Sequence, residues 1–244
     1  MTGPWVIGSA AVGGTAGPFL RAVILHYSTA AGDPPRQNCP ACDRLILAAG
    51  WPARLHLPPN GRCPSCRTRI GPPPLVVEML TAAVLAVVAA KTTSGWVLAA
   101  LGWRAIVAVP LAFIDVAVHR LPDTLTAPAY AGTLALLAAA ALATHHSGQL
   151  GRAVLAGAGL AFLYLIMFLA SPASIGVGDV KLAASVGTAL GWLGWGTVVT
   201  GTVACFFAAG LFAAGLLVLR RAKSGDQMAF GPFILLGALA AIAI

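Results

Sequence analysis

Acidic side chains are nearly missing from this sequence: there are 7 Asp and Glu among 244 residues, and 9% of all residues are charged, against about 25% in an ordinary soluble domain. A chain with so little polar surface cannot coat a water-soluble globule of its own length. A soluble enzyme, a secreted disulfide scaffold and a disordered chain are therefore excluded. What is abundant is apolar: 59% of residues are hydrophobic, 28 are Gly, and the mean hydropathy is +0.87. With about 20 apolar residues per membrane crossing, the length accommodates about eight spans and one sizeable loop. The expected fold is all-α, a polytopic membrane helix bundle.

Hydrophobic stretches fall at about 5–27, 75–90, 95–114, 124–144, 152–171, 180–192, 194–219 and 229–244, which gives eight helices. The sixth is short, and its separation from the seventh rests on the Gly191-Trp192-Leu193-Gly194-Trp195-Gly196 cluster, a composition suited to a membrane–water interface. Merging those two would leave seven. No basic residue precedes the first span, so it is expected to stay as an anchor and not to be removed as a signal. The division that follows is 1–27, a first transmembrane helix; 28–74, a polar loop domain; and 75–244, a multi-span membrane domain.

The loop carries Arg36, Arg44, Arg54, Arg62, Arg67 and Arg69 against Asp33 and Asp43. Positive charge marks the cytoplasmic side. Counting spans from there puts Arg120, Lys181 and the Arg220, Arg221, Lys223 cluster on the same side, eleven basic residues in all, while Lys91 and Arg152 fall opposite. Both termini then face outward, in the inner (plasma) membrane of a cell. The net charge of +8 follows from this asymmetry and from anionic inner-leaflet lipid; no nucleic-acid partner is needed. Arg104 fits poorly, because a rise of about 1.5 Å per residue puts it about 16 Å deeper than Asp115. It must snorkel, pair, or mark a misplaced span.

Four of the 5 cysteines lie in the loop as Cys39-Pro40-Ala41-Cys42 and Cys63-Pro64-Ser65-Cys66. Two CxxC knuckles at this separation are structural-zinc spacing, and four thiolates close a tetrahedron with no open position for substrate. Two disulfides would be the alternative, but they require an oxidising compartment. The loop is too small to bury much core, so the metal would supply its folding energy. Cys205, in an apolar run, reads as an inert core residue.

Asp33, Asp43 and Asp226 sit in loops, leaving Glu78, Asp115, Asp123 and Asp179. Asp115 ends the third apolar stretch and Asp179 opens the sixth, within Gly176-Val177-Gly178-Asp179, so both fall at the cytoplasmic membrane boundary. Ionisable groups at such depth are functional by default. Paired carboxylates suit an aspartic peptidase: they share one proton, one acting as base toward water and the other as acid toward the scissile carbonyl. Gly176 and Gly178 would let a substrate backbone approach closely. Against this, Asp123 and Asp179 each precede a helix and read equally as N-caps, and Glu78 suits the N-terminal dipole of its helix. The GxG before Asp179 is not a nucleotide loop, since phosphate would meet the carboxylate and no βαβ unit surrounds it. His145 and His146 read as a solvated turn.

Together these residues resemble the type IV prepilin peptidases, GxGD membrane aspartic proteases. The resemblance runs from Gly17-Pro18-Phe19-Leu20 through both knuckles and Gly61-Arg62, Glu78-Met79-Leu80-Thr81-Ala82, Ile114-Asp115, Leu121-Pro122-Asp123-Thr124-Leu125-Thr126 and Gly176-Val177-Gly178-Asp179-Val180-Lys181 to Phe230-Gly231-Pro232-Phe233. It implies that Asp115 and Asp179 are the catalytic pair, that Cys39, Cys42, Cys63 and Cys66 hold zinc, and that the substrates are prepilins or pseudopilins cut at the cytoplasmic face. Many members also N-methylate the new terminus with S-adenosylmethionine. Here Pro72-Pro73-Pro74-Leu75 replaces the family's aromatic-Pro pattern before Val-Glu, and Arg21 stands where Asn is usual, so this second activity is an option and not a requirement.

The competing class is an ion or proton-coupled transporter in which Asp115, Asp179 and Lys181 form a relay and the zinc loop is a regulatory cap. A relay calls for acids near the midplane or a second ring at the outer side, and the sequence has neither. A non-catalytic assembly protein docking through the cysteine loop is a third reading, disfavoured by the intact aspartates.

Overall fold

A computed structural model describes residues 3–30, 32–47, 61–171, 175–220 and 228–244. Arg54, Arg221 and Lys223, counted above among the basic residues, and Asp226, read above as a loop residue, lie outside the described residues. Eight helices follow one another: α1 (Gly3–Tyr27), α2 (Val76–Lys91), α3 (Gly95–Val118), α4 (Asp123–Thr144), α5 (Ser147–Ala170), α6 (Val177–Leu193), α7 (Trp195–Val218) and α8 (Gly231–Ala243). Each matches one expected hydrophobic stretch. Five of them, α1, α3, α4, α5 and α7, are long and apolar enough to cross a membrane, while α2, α6 and α8 are shorter. The break between α6 and α7 is real. Gly194 sits there with φ 152°, a backbone region that a residue with a Cβ rarely adopts. Among the described residues the only β structure is two isolated bridges in the cysteine loop.

Helices adjacent in sequence pack as antiparallel neighbours, with α1 on α2, α3 on α4, α5 on α6 and α7 on α8, while α2, α3 and α6 also reach α8. In lipid there is no hydrophobic gain from bringing two apolar helices together, so close packing depends on small residues. The α5–α6 contact shows this. A Cβ on Gly187 would stand 2.8 Å from the Ala156 carbonyl oxygen, one on Gly191 would stand 2.5 Å from the Ala156 Cβ, and one on Gly157 would run into Thr188. Large apolar side chains such as Leu169, Phe207 and Val218 point outward, as a lipid-facing surface requires. One buried cluster, including Ile114, Leu121, Tyr164, Leu182, Phe230 and Ile234, ties α3, α5, α6 and α8 together.

The two ends of the bundle differ in their charges. At one end Arg120 donates to the Ala30 carbonyl (3.3 Å), Lys181 pairs with Asp123 (2.7 Å), and the cysteine loop packs on α1. At the other end Lys91 reaches the Ile244 carbonyl (3.5 Å), and Arg152 donates to the carbonyls of Gly191 (2.7 Å) and Trp192 (2.8 Å). The segregation expected from the sequence is present in the packing.

Candidate active site and metal centre

Asp115 and Asp179 lie 64 positions apart in sequence, yet the packing of α3, α6 and α8 brings them to the same end of the bundle. Both are buried, at 4% and 7% exposure. Asp115 stands in the last turn of α3, inside the helix. Its Oδ2 accepts a hydrogen bond from the Gly231 backbone N–H at 2.9 Å. Gly231 opens α8, so this N–H is one of the donors a helix start leaves unsatisfied, at the positive end of the helix dipole. Pro232 follows and has no N–H to offer. A Cβ on residue 231 would fall 2.7 Å from the same carboxylate oxygen, which is why glycine stands there.

Asp179 is not itself the N-cap of α6, since Gly176 holds that position. It occupies the third position of α6, and its Oδ2 accepts from the Gly176 backbone N–H at 2.9 Å, half of a capping arrangement. Its Oδ1 is buried with no hydrogen-bond partner. A buried carboxylate oxygen without a donor is costly unless it is protonated or meets water or a reacting group. Each aspartate is thus held through one oxygen by one backbone N–H.

Two expectations change. Asp123 does not cap α4: it is the first residue of the helix, Pro122 holds the cap position, and the Asp123 carboxylate goes to Lys181 instead. Gly178 is not open to a substrate backbone either. A Cβ there would stand 2.9 Å from the Leu121 Cβ, so this glycine lets the α3–α4 turn pack on α6. Gly176 does have room, with nothing nearer than 3.7 Å.

Glu78 and Arg21 form a second buried group. The Arg21 Nε is 2.8 Å from the Glu78 Oε1, with 1% and 13% of the side chains exposed. A Cβ on Gly17 would strike the Glu78 side chain, and one on Gly61, at φ +60°, would lie 3.4 Å from the Arg21 Nη1 and 3.0 Å from Pro74. The pair therefore joins α1, α2 and the second cysteine knuckle. Cys205 is core, as expected, with its Sγ 3.4 Å from the Tyr164 hydroxyl, and His145 and His146 are exposed.

The two knuckles repeat one local design. In the first, Cys39 N–H donates to the Arg44 carbonyl and Asp43 N–H to the Cys39 carbonyl; in the second, Cys63 N–H donates to Thr68 and Arg67 N–H to Cys63. Asp43 and Arg67 take the same left-handed conformation, φ 54° and 58°. The turns aim their thiols at one point: Cys39 Sγ is 3.6 Å from Cys66 Sγ, Cys42 Sγ is 3.7 Å from Cys63 Sγ, and all four lie within 4.8 Å of one another. Tetrahedral zinc–sulfur bonds of about 2.3 Å require sulfurs about 3.8 Å apart. The cluster therefore fits one tetrahedral ion, and none of these cysteines is in a disulfide.

An all-α bundle with a four-cysteine loop and two buried aspartates at the same end is the architecture of a polytopic membrane protein. The model of the type IV leader peptidase family matches residues 103–219, the stretch that contains both aspartates. Three relatives, each named prepilin leader peptidase/N-methyltransferase, are similar over most of the chain. The protein from Aeromonas salmonicida (strain A449) is 34% identical over 209 residues, covering 82% of this chain and 68% of its own length. That from Burkholderia pseudomallei (strain K96243) is 32% identical over 216 residues, 85% of this chain and 67% of its own. That from Neisseria gonorrhoeae is 30% identical over 207 residues, 81% and 67%. No solved structure matches. The chain belongs to the type IV leader (prepilin) peptidase family and is a multi-pass inner-membrane enzyme.

The sequence alone assigns Gly231 no role. The signal was its place at a helix start beside Pro, but nothing in the sequence says which acceptor such an N–H meets.

Proposed function

We propose that this enzyme cleaves the leader peptide of prepilins or pseudopilins, with Asp115 and Asp179 as its catalytic pair. The observation that carries the reading is the convergence of two buried carboxylates from separate helices, each steadied by one backbone N–H, with Asp179 Oδ1 left unengaged. In a buried pair one carboxylate takes a proton from water while the other donates one to the scissile carbonyl, and the roles reverse as the leaving amine departs. The Gly231 and Gly176 N–H groups hold the carboxylates in place, so little reorganisation accompanies the proton transfers. The site faces the cytoplasm, on the side of the loop arginines. The transporter reading finds no support, because the acids cluster at one end and all the curated relatives described above bear a peptidase name.

Zinc held by Cys39, Cys42, Cys63 and Cys66 supplies architecture alone, since four protein sulfurs leave no open position. The apolar groove between α2, α3, α6 and α8, where Arg104 is the one charged lining residue, offers S-adenosylmethionine few of the polar partners it needs.

The test is cleavage of a model prepilin in liposomes by wild type, Asp115→Asn and Asp179→Asn, each checked for folding and zinc content. Both variants should fold, bind zinc and be inactive. A folded variant with near-wild-type cleavage would show that its aspartate is structural. The mass of the released terminus reports whether a methyl group is added.

A further inference from the structure

Helix α8 begins without a cap of its own. Phe230 holds the cap position and makes no side-chain cap, where a Ser, Thr, Asp or Asn would ordinarily serve the exposed N–H groups. Pro232 has no N–H, and Phe233 and Ile234 turn theirs to the Phe230 carbonyl. The Gly231 N–H is served from α3 instead, by Asp115. The Phe230 side chain has a different use. Its ring lies edge-on to that of Tyr164 on α5, at 6.0 Å between centroids, and 5.7 Å from that of Phe206 on α7, while Tyr164 and Phe206 stack at 5.9 Å. Rings from three helices thus close into a triangle at the residue that precedes Gly231.

The other buried residues of α5 are Ala153, Ala156 and Gly157, and all three lie against α6, where Gly187, Gly191 and Thr188 face them. Small residues seal α5 onto the helix that carries Asp179, and Tyr164, 2% exposed, reaches across to α7 and α8. Its hydroxyl meets the Cys205 thiol at 3.4 Å, a weak partner, so the ring and not the hydroxyl makes the joint. Aromatic rings at these separations favour particular tilts and offsets, which fixes relative position more closely than aliphatic contact does. One side of the joint is bound to the support of Asp179, and the other to the donor of Asp115.

Resting on the reading of Asp115 and Asp179 as the catalytic pair, we propose that Tyr164, Phe206 and Phe230 are positioning residues: their packing sets the start of α8 against Asp115 and ties that setting to the α5–α6 unit, so that both carboxylates are presented in one geometry. The rings touch no reacting atom. They act through the Gly231 N–H, whose hydrogen bond to Asp115 lasts only while Phe230 is held. Without the Tyr164 ring, Phe230 shifts, the N–H is released, and proton transfer starts from a misplaced carboxylate.

The sequence Phe-Gly occurs once in the chain, at 230–231. Isotope labels on the phenylalanine carbonyl carbon and the glycine nitrogen therefore single out one amide, that of Gly231. Its hydrogen exchange is followed by NMR in detergent micelles for wild type, Tyr164→Leu, Tyr164→Phe and, as the reference for a released N–H, Asp115→Ala. Tyr164→Leu should speed exchange at Gly231 at least about tenfold while the other glycine amides keep their rates. It should also lower kcat for prepilin cleavage at least about tenfold with KM within about twofold. Tyr164→Phe, which keeps the ring, should stay near wild type in both. Unchanged exchange at Gly231 in Tyr164→Leu, equal acceleration at every glycine, or equal damage from Tyr164→Phe would each overturn the proposal. Should Tyr164→Leu fail to fold, Phe206→Leu removes a second ring from a half-buried position and is judged on the same measurements. If wild type cuts no precursor, the peptidase reading fails separately, and exchange at Gly231 still decides whether the rings hold that N–H in place.

Discussion

At the scale of single residues, the site depends as much on glycine as on aspartate. Gly231 matters because its N–H binds Asp115 at 2.9 Å and because a methyl group there would crowd the same oxygen at 2.7 Å. Gly231→Ala should displace the Asp115 carboxylate and lower kcat by up to about 100-fold, the effect of an ångström-scale misplacement of a reacting group, while the protein still folds and retains zinc. Steady-state cleavage with a parallel thermal melt checks this. The roles of the two aspartates were only half legible. Asp179 looked like a cap or a catalyst and serves a cap through Oδ2 while Oδ1 stays free of partners. Asp123 looked like a cap and is an exposed ion-pair partner of Lys181, because Pro122 had already taken the cap position. Local patterns name the residue types a position favours, but which of several compatible partners is met depends on an element 58 residues away.

At the scale of elements, helices and loop are held by different forces. The α5–α6 pair relies on glycines that admit the facing backbone, so Gly187→Leu should force the helices apart, lower thermal stability and abolish cleavage, although residue 187 is about 12 Å of helix from Asp179. Circular dichroism, a melt and the cleavage assay together distinguish loss of packing from loss of helix. The cysteine loop has a small core in which Cys39, Leu47, Cys63 and Ile70 pack with Ala22 and Leu25 of α1, too little to hold it without metal. Chelation should therefore disorder the segments around Cys39–Cys42 and Cys63–Cys66 and leave the membrane helices intact. Hydrogen exchange reads the first and circular dichroism the second; zinc content near one ion per folded chain is the companion result. The eight helix positions were legible because each is a continuous apolar run, and the knuckles because their ligands are close in sequence. The pairing of Arg21 with Glu78 across α1 and α2 was not, since either residue alone reads as a departure or a dipole effect.

At the scale of the whole molecule, the loop, Arg120, Lys181 and both aspartates share one end of the bundle, and Lys91, Arg152 and Ile244 share the other. A cysteine placed at His119 should react with a membrane-impermeant thiol reagent only from the cytoplasmic side, and one at His145 only from the opposite side; the reverse pattern would invert the proposed orientation. Hydropathy, charge asymmetry and CxxC spacing are properties of short stretches of chain, and they alone determined that this is a polytopic membrane protein with a four-cysteine loop and with acids at the ends of apolar runs. Only the tertiary structure decided that Asp115 and Asp179 converge, that the start of α8 supplies an N–H to one of them, and that rings from α5 and α7 pack on the residue before that N–H. Those outcomes depend on how helices far apart in sequence fit together, and in a bilayer that fit is settled by small residues and buried polar pairs at their contacts, which no single segment contains.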